Sequence, residues 1–164
     1  MKRRELTECD DANYSTFKAA WQADTNPYKY LWLLTEMEKR DFPDFLEFLA
    51  SQKSLEDSGY SASTAYFALV GGELAGVLHA RWDITKGKLL ETGGHIAYYV
   101  APSFRGQGLA AQMVQEILPE YRARGIQEVW IMCKEENVAS RKTIEACGGL
   151  YVNSVGNERR YHVL

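Results

Sequence analysis

Apolar positions along the chain switch between helical and strand spacing. In the first third they recur at helical spacing, with Tyr14, Phe17 and Trp21 on one face behind Asp10 or Asp11, either of which suits an N-cap. A helix is predicted to about residue 23, closed by the Asn26-Pro27 break. A second is predicted over 41–55, with Pro43 in its first turn and Phe42, Phe45, Leu46, Leu49 and Leu55 on its buried side; Ser58-Gly59 ends it. From residue 64 the period becomes that of strands. Residues 64–70 and 73–82 read as a hairpin about Gly71-Gly72, and Gly76 in the return strand marks a bulge or a close backbone approach. Residues 83–90 are polar and read as a loop or a short turn of helix.

A third strand is predicted over 94–100, closed by Ala101-Pro102-Ser103. A long helix follows, with Leu109, Met113, Ile117 and Tyr121 on one face beside Ala110, Val114 and Leu118. Pro119 lies inside this pattern and removes a backbone donor, which predicts a kink or an early stop; Gly125 fits the end. Residues 126–133 carry the apolar run Val129-Trp130-Ile131-Met132, as in a central strand buried on both faces. Asn137 caps a predicted helix over 137–147, and Gly148-Gly149 stops it. Two closing strands, 150–155 and 159–164, turn on Gly156-Asn157. The order predicts a mixed α/β sheet with helices packed against it.

The 164 residues suit one domain over 1–164, large enough to bury a core without staples. Apolar residues make up 46% and charged residues 25%, an ordinary globular composition. The net charge of -3 argues against a nucleic-acid partner. No long apolar run follows the basic Met-Lys-Arg-Arg start, so neither a signal peptide, a spanning helix nor a membrane partner is expected, and a cytoplasmic protein is. Cys9, Cys133 and Cys147 form no CxxC, and His79, His95 and His162 have no metal-ligand spacing; no metal is expected.

Chemistry concentrates between the third strand and the long helix. Gly106 and Gly108 let the backbone approach a ligand, and the first amides of the following helix have no internal partners. Together with the helix dipole they suit a pyrophosphate, beside the charge of Arg105. The loop lacks the third glycine of a dinucleotide fingerprint and the Gly-Lys-Ser/Thr of a Walker loop. It reads equally as a plain glycine turn. Ala101-Pro102 stops sheet pairing, so an elongated ligand can pair with the backbone of Tyr98 to Val100. Asn137 reads equally as an ordinary N-cap, and Ser140 as a first-turn polar residue.

Arg105, Gly108 and Ala110, after a strand ending in Val100, resemble the acetyl-CoA signature of the GNAT superfamily. Asn137 and Ser140, followed by Ile144-Glu145 and Gly148-Gly149, resemble its second motif. Gly93-Gly94-His95-Ile96 and Cys133 ahead of Asn137-x-x-Ser140-Arg141 are similar to a small bacterial subgroup. The resemblance covers about residues 64–149. It implies a GNAT-like, partly parallel, splayed sheet flanked by helices, with acetyl-CoA as co-substrate in the splay. It implies that amides of Arg105, Gly106, Gln107, Gly108, Leu109 and Ala110 hold the pyrophosphate. It further implies that the pantetheine arm pairs near Tyr98 and Val100, and that Asn137 and Ser140 touch that arm. Direct transfer to a small-molecule or peptide amine, without a covalent enzyme intermediate, is the family chemistry.

An attacking amine must be neutral, so a base is sought. His95, on the strand beside the expected thioester, is the leading candidate, and Glu91, acting through water, the second. His95 reads equally as a structural strand histidine and Glu91 as a solvated loop carboxylate. The family's usual general-acid tyrosine falls on Ile144; Tyr98, Tyr99, Tyr151, Cys133 or solvent would replace it. Arg81 would attract an acidic acceptor, or it is a solvated strand-end charge. Two other classes compete: an acyl-CoA-binding or sensing module without catalysis, motivated by Ile144, and a nucleotide-dependent oxidoreductase, for which the late loop leaves too little chain. The acceptor is not named by any motif; its specificity is expected from the helical N-terminal third and residues 82–93. Aromatic-rich surface segments would permit a homodimer.

Overall fold

The computed structural model describes residues 1–55 and 59–164, so the expected Ser58 stop lies outside the described residues. The elements in order are β1 (Lys2–Arg4), α1 (Asp11–Ala23), α2 (Trp32–Glu38), α3 (Phe42–Gln52), β2 (Ser63–Val70), β3 (Glu73–Arg81), β4 (Ile96–Val100), α4 (Leu109–Ala123), β5 (Val129–Lys134), α5 (Val138–Ala146), β6 (Leu150–Val155) and β7 (Glu158–Val163). The strands form one seven-stranded sheet in the order β1-β2-β3-β4-β5-β7-β6. Every neighbouring pair is antiparallel except β4 and β5. The mixed sheet with helices packed against it is the fold expected from the element order, and its partly parallel character is what the resemblance implied. No helix among the described residues is long and apolar enough to cross a membrane.

Apolar side chains cover both faces of the sheet. On one face Tyr14, Phe17 and Trp21 of α1, Leu33, Leu34 and Met37 of α2, and Phe42 and Phe45 of α3 pack on Phe67, Val77 and Tyr99. On the other, Met113, Val114, Ile117 and Tyr121 of α4 and Ile144 of α5 pack on Leu78, Ile96, Ile131 and Tyr161. Burying side chains of this size stabilises by about 1.5–3 kcal/mol each. The two faces thus carry different helices, and a ligand reaching both must pass through the sheet.

Two elements were not anticipated. β1 is a charged tripeptide whose pattern carries no strand signal. Its backbone pairs with β2, while Arg3 bonds Glu120 and lies over the Tyr66 ring, and Arg4 forks onto Asp10 at 2.7 and 2.8 Å. That occupation explains why Asp10 precedes α1 without capping it by its side chain. α2 has seven residues and no side-chain cap, so its start leaves no mark in the sequence. The expected stop at Pro119 also does not occur: α4 continues to Ala123. Fully buried Tyr121 anchors its last turn by donating to the carbonyls of Arg81 and His95 at 3.0 and 2.9 Å.

β5 is buried only at alternate positions, Val129, Ile131 and Cys133, because the sheet opens beside it. It pairs with β4 at Ile96–Ile131 alone. By contrast β4 pairs with β3 along its whole length. Both readings of Gly76 hold: the β2–β3 register slips between Ala68 and Leu69 opposite it, and a Cβ there would sit 2.7 Å from the Tyr99 carbonyl oxygen.

Gly94 lies where β4 and β5 converge. Its φ is +68°, and a Cβ would stand 2.6 Å from the Trp130 carbonyl oxygen. Gly71 has a similar φ of +58° but open space around it. Gly94→Ala is therefore expected to lower stability by about 2–4 kcal/mol, left-handed strain plus overpacking, and Gly71→Ala by only about 1–2 kcal/mol. Urea midpoints at unchanged m-value are the check; equal losses would contradict the close packing at Gly94.

Candidate active site

The turn after β4 is built for exposed amides. Pro102 opens a short 3-10 turn, and Arg105 donates its backbone N–H to the Pro102 carbonyl at 3.3 Å. Gly106 and Gly108 then take φ of +77° and +75°, and Gly108 stands at the N-cap of α4. The first backbone donor from the turn into the helix is Gln112, to the Gly108 carbonyl. The N–H groups of Gly106, Gln107, Gly108, Leu109, Ala110 and Ala111 have no protein acceptor among the described residues. Six consecutive free donors at the positive end of a fifteen-residue helix make an anion site.

Arg105 is held away from a free role. Its Nε donates to the Val100 carbonyl at 3.0 Å, and its Nη1 and Nη2 reach Asp24 at 3.3 and 2.5 Å. Asp24 is 8% exposed and also accepts from the Tyr99 hydroxyl at 2.8 Å and the Asn26 amide at 3.0 Å. Burial tends to raise the Asp24 pKa, but the Arg105, Asn26 and Tyr99 hydrogen bonds outweigh it and hold the carboxylate ionised. The charge expected beside the phosphates is thus paired, and Arg105 instead ties the loop to the end of α1.

From this loop a cavity of about 690 Å³ runs into the opening between β4 and β5. Along it lie Tyr98, Val100 and Ala97 of β4, Met132 and Cys133 of β5, and Asn137, Ser140 and Thr143 at the start of α5. Its far end reaches Arg81, Gly93 and the segment Asn26 to Trp32. Antiparallel strands alternate their bonding direction. The Ala101 amide bonds to Ala75 and the Arg81 amide to the His95 carbonyl, so in this register Tyr98 and Val100 turn their backbone groups towards β5. These are the positions anticipated for pairing with an extended arm, although the Val100 carbonyl is already taken by Arg105.

Asn137 and Ser140 both reach the cavity while serving the fold. Asn137 caps α5, its Oδ1 accepting from the Ser140 amide at 3.3 Å. The Ser140 hydroxyl lies 2.6 Å from that of Tyr98. Burial pushes the Tyr98 phenol up, so it stays protonated at neutral pH. Ile144 is fully buried in the core, and Tyr151 is exposed on β6. Tyr99 lines the cavity but its hydroxyl is given to Asp24. Gln107 brings only its amide, its side chain being exposed.

Neither base candidate meets the cavity. Glu91 is exposed in the turn before β4 and is not among the lining residues. His95 is 5% exposed, and its Nδ1 accepts from the Trp130 amide at 2.9 Å. Its backbone N–H donates to the Trp130 carbonyl at 2.8 Å. His95 therefore takes up both main-chain groups of Trp130 and pins β5 to the start of β4. Burial, aided by nearby Arg81 and opposed by Asp83, pushes its pKa down to about 4. A neutral ring with an occupied Nδ1 is a structural histidine, not a base poised near neutrality.

Several residues at or beside the site were not foreseen. Asp24 meets Arg105 across 81 positions of sequence, which no local pattern reveals. The aromatic cluster Tyr28-Lys29-Tyr30-Leu31-Trp32 was a visible signal, since aromatics beside a Pro break have no helical or strand period to satisfy. Among the described residues no group of three or more His, Cys, Asp or Glu could hold a metal ion.

Comparison with known proteins gives this geometry its class. The acetyltransferase (GNAT) family matches residues 17–148, and the chain belongs to that family. No curated protein matches it significantly in sequence. Among solved structures it is similar to Mycobacterium smegmatis RimJ in complex with CoA-disulfide, at 19% identity and TM-score 0.69, over 98% of this chain and 80% of that one. It is also similar to the aminoglycoside acetyltransferase AAC(6')-Ib in complex with coenzyme A, at 17% identity and TM-score 0.64, over 99% and 93%. RimL, a ribosomal L7/L12 alpha-N-protein acetyltransferase, matches at 21% and 0.62, over 99% and 92%. These likenesses are of fold.

The His95 contact has a pH signature. The unfolded chain protonates this residue near ~6.5, the folded chain only near about 4. Its contribution to stability is complete above the higher value and is lost as pH falls between the two. Buried His79, pushed well below its usual range, acts in the same direction. His95→Asn, which retains an acceptor without titrating, is expected to flatten part of that acid loss. His95→Ala strands the Trp130 amide and is expected to cost about 1–3 kcal/mol. Urea unfolding from pH 7 to 4 is the check; identical pH slopes in parent and His95→Asn would contradict the assignment.

Proposed function

We propose that this chain transfers the acetyl group of acetyl-CoA directly to a primary amine. The single observation carrying the reading is the row of six unpaired amides from Gly106 to Ala111, opening onto a cavity that crosses the sheet. The pyrophosphate is held by those amides and the dipole of α4. The pantetheine arm lies along β4, pairing with the backbone of Tyr98 and the free Val100 amide. Its free end passes between β4 and β5 to the face carrying α1 to α3, where the acceptor enters.

The neutral amine attacks the thioester carbonyl, the C–N bond forms, and the C–S bond breaks. The amine's surplus proton passes to water at the open acceptor end, since His95 and Glu91 stand apart from it. The Tyr98 phenol, kept protonated by burial and oriented by Ser140, supplies the proton to the departing thiolate and regains one from the water that took up the amine's proton, so the net transfer is from amine to thiol. It thereby replaces the acid that Ile144 cannot provide. The competing reading, acyl-CoA binding without catalysis, is favoured by that same Ile144 and is separated by turnover alone.

Gly108→Glu places an anion and a strained side chain at the N-cap, and is expected to abolish acetyl-CoA binding by calorimetry. Undiminished binding would remove the loop from the site. Tyr98→Phe is expected to lower kcat about 100-fold, with a much smaller change in acetyl-CoA affinity. Thiol release across an amine library is the readout: unchanged kcat would remove Tyr98, and binding without turnover in the parent would favour the non-catalytic module.

A further inference from the structure

We propose that Arg81 anchors a carboxylate of the acceptor, so that the substrate class is a primary amine that also bears a carboxylate. The assignment rests on the acyltransferase reading above and narrows it.

Position comes first. Arg81 ends β3, one step past the Ala80–Ile96 pair, and its amide bonds to the His95 carbonyl at 2.7 Å. The cavity runs from the amide loop past Tyr98, Ala97 and Ile96 to Arg81 and Gly93. An arm laid along β4 from that loop points its free end towards Arg81. An acceptor between the two presents its amine to the thioester and its far end to the guanidinium.

Charge comes second. Four cationic side chains line the cavity: Lys29, Arg81, Arg105 and Lys134. Arg105 is paired with Asp24, and Lys134 with Glu158 at 3.0 Å. Buried Lys29 spends its ammonium on the α1 carbonyls of Trp21 and Gln22, at 2.9 and 3.1 Å. Arg81 has only Nη1 engaged, on the carbonyls of Gly93 and Gly94 at 3.2 and 3.1 Å, and no carboxylate within ion-pair distance among the described residues. Desolvating a cation without a counter-ion is costly, and a planar fork with donors to spare matches a carboxylate. Holding Gly93 and Gly94 also fixes the guanidinium in place before any ligand arrives.

A third observation is independent of the cation. His79 lies two positions earlier on the same face of β3, is 3% exposed, and has no hydrogen-bond partner for either ring nitrogen among the described residues. It is stacked beneath Trp32 with ring centroids 6.0 Å apart. Trp32 itself is 46% exposed and lines the cavity with Tyr28 and Tyr30. Tyr28, Tyr30 and Trp32 thus give this end of the cavity an aromatic surface for the acceptor's apolar body, while His79, buried beneath Trp32, is not among the lining residues.

The test compares the proteinogenic amino acids with their α-amides as acceptors, in the parent, Arg81→Gln and Arg81→Lys, with acetyl-CoA affinity measured alongside by calorimetry. A charge-assisted pair predicts that the parent favours the free carboxyl form about 10- to 100-fold in kcat/KM, through KM. Arg81→Gln is expected to erase the preference and Arg81→Lys to reduce it. If acetyl-CoA binds and the parent acetylates amides but shows no preference, turns over no carboxylated amine, or keeps its preference in either variant, the Arg81 assignment is overturned and the acyltransferase reading stands; binding with no turnover of any amine overturns both. The Lys variant decides the matter should the Gln variant fail to fold. If acetyl-CoA does not bind the parent, both fall.

Discussion

The structure depends on two strands being joined at one end and kept apart at the other. β4 and β5 meet at the contact of His95 and Gly94 with Trp130, then pair once more at Ile96–Ile131. Beyond that point the ladder stops. A continuous sheet would seal the face carrying α1 to α3 from the face carrying α4 and α5. The divergence opens a passage between them, and it does so at the strand whose exit turn exposes free amides. The proposed cofactor and acceptor sites both follow from the same opening.

The opening is supported from both sides. On one, Arg105 joins Asp24, and Tyr99 joins the same carboxylate, so the amide loop is tied to the end of α1. On the other, the Tyr98 hydroxyl meets Ser140 at the first turn of α5. Neither support is strong as an isolated contact, since single hydrogen bonds contribute about 1 kcal/mol net. Their effect is geometric: they fix where the loop, β4 and α5 stand relative to one another. Arg105 therefore matters more as a tether than as a phosphate ligand, and its charge is balanced before any anion arrives.

Much of this was legible in the sequence because local rules govern it. The hairpin at Gly71-Gly72, the α4 face of Leu109, Met113, Ile117 and Tyr121, and the glycines at 106 and 108 each follow from period or backbone freedom. What was not legible depends on distant partners. β1 is a strand because β2 offers it an edge, not because Lys2-Arg3-Arg4 favours extension. Pro119 does not end α4, since Tyr121 beyond it is buried and hydrogen-bonded. His95 was expected on the third predicted strand beside the thioester; it lies just before β4, and the sequence contained no sign that Trp130 would occupy its Nδ1. A histidine near the expected chemistry becomes a pin rather than a base through one contact 35 residues away.

The central claim is that the main-chain amides at the start of α4 grip the phosphates of coenzyme A. It is tested most directly by following the backbone ¹⁵N–¹H resonances while coenzyme A is titrated into the labelled protein. The largest downfield amide shifts, with slowed hydrogen exchange, are expected at Gly106 to Ala111. Saturable binding that perturbs other regions and leaves those six signals in place would contradict it.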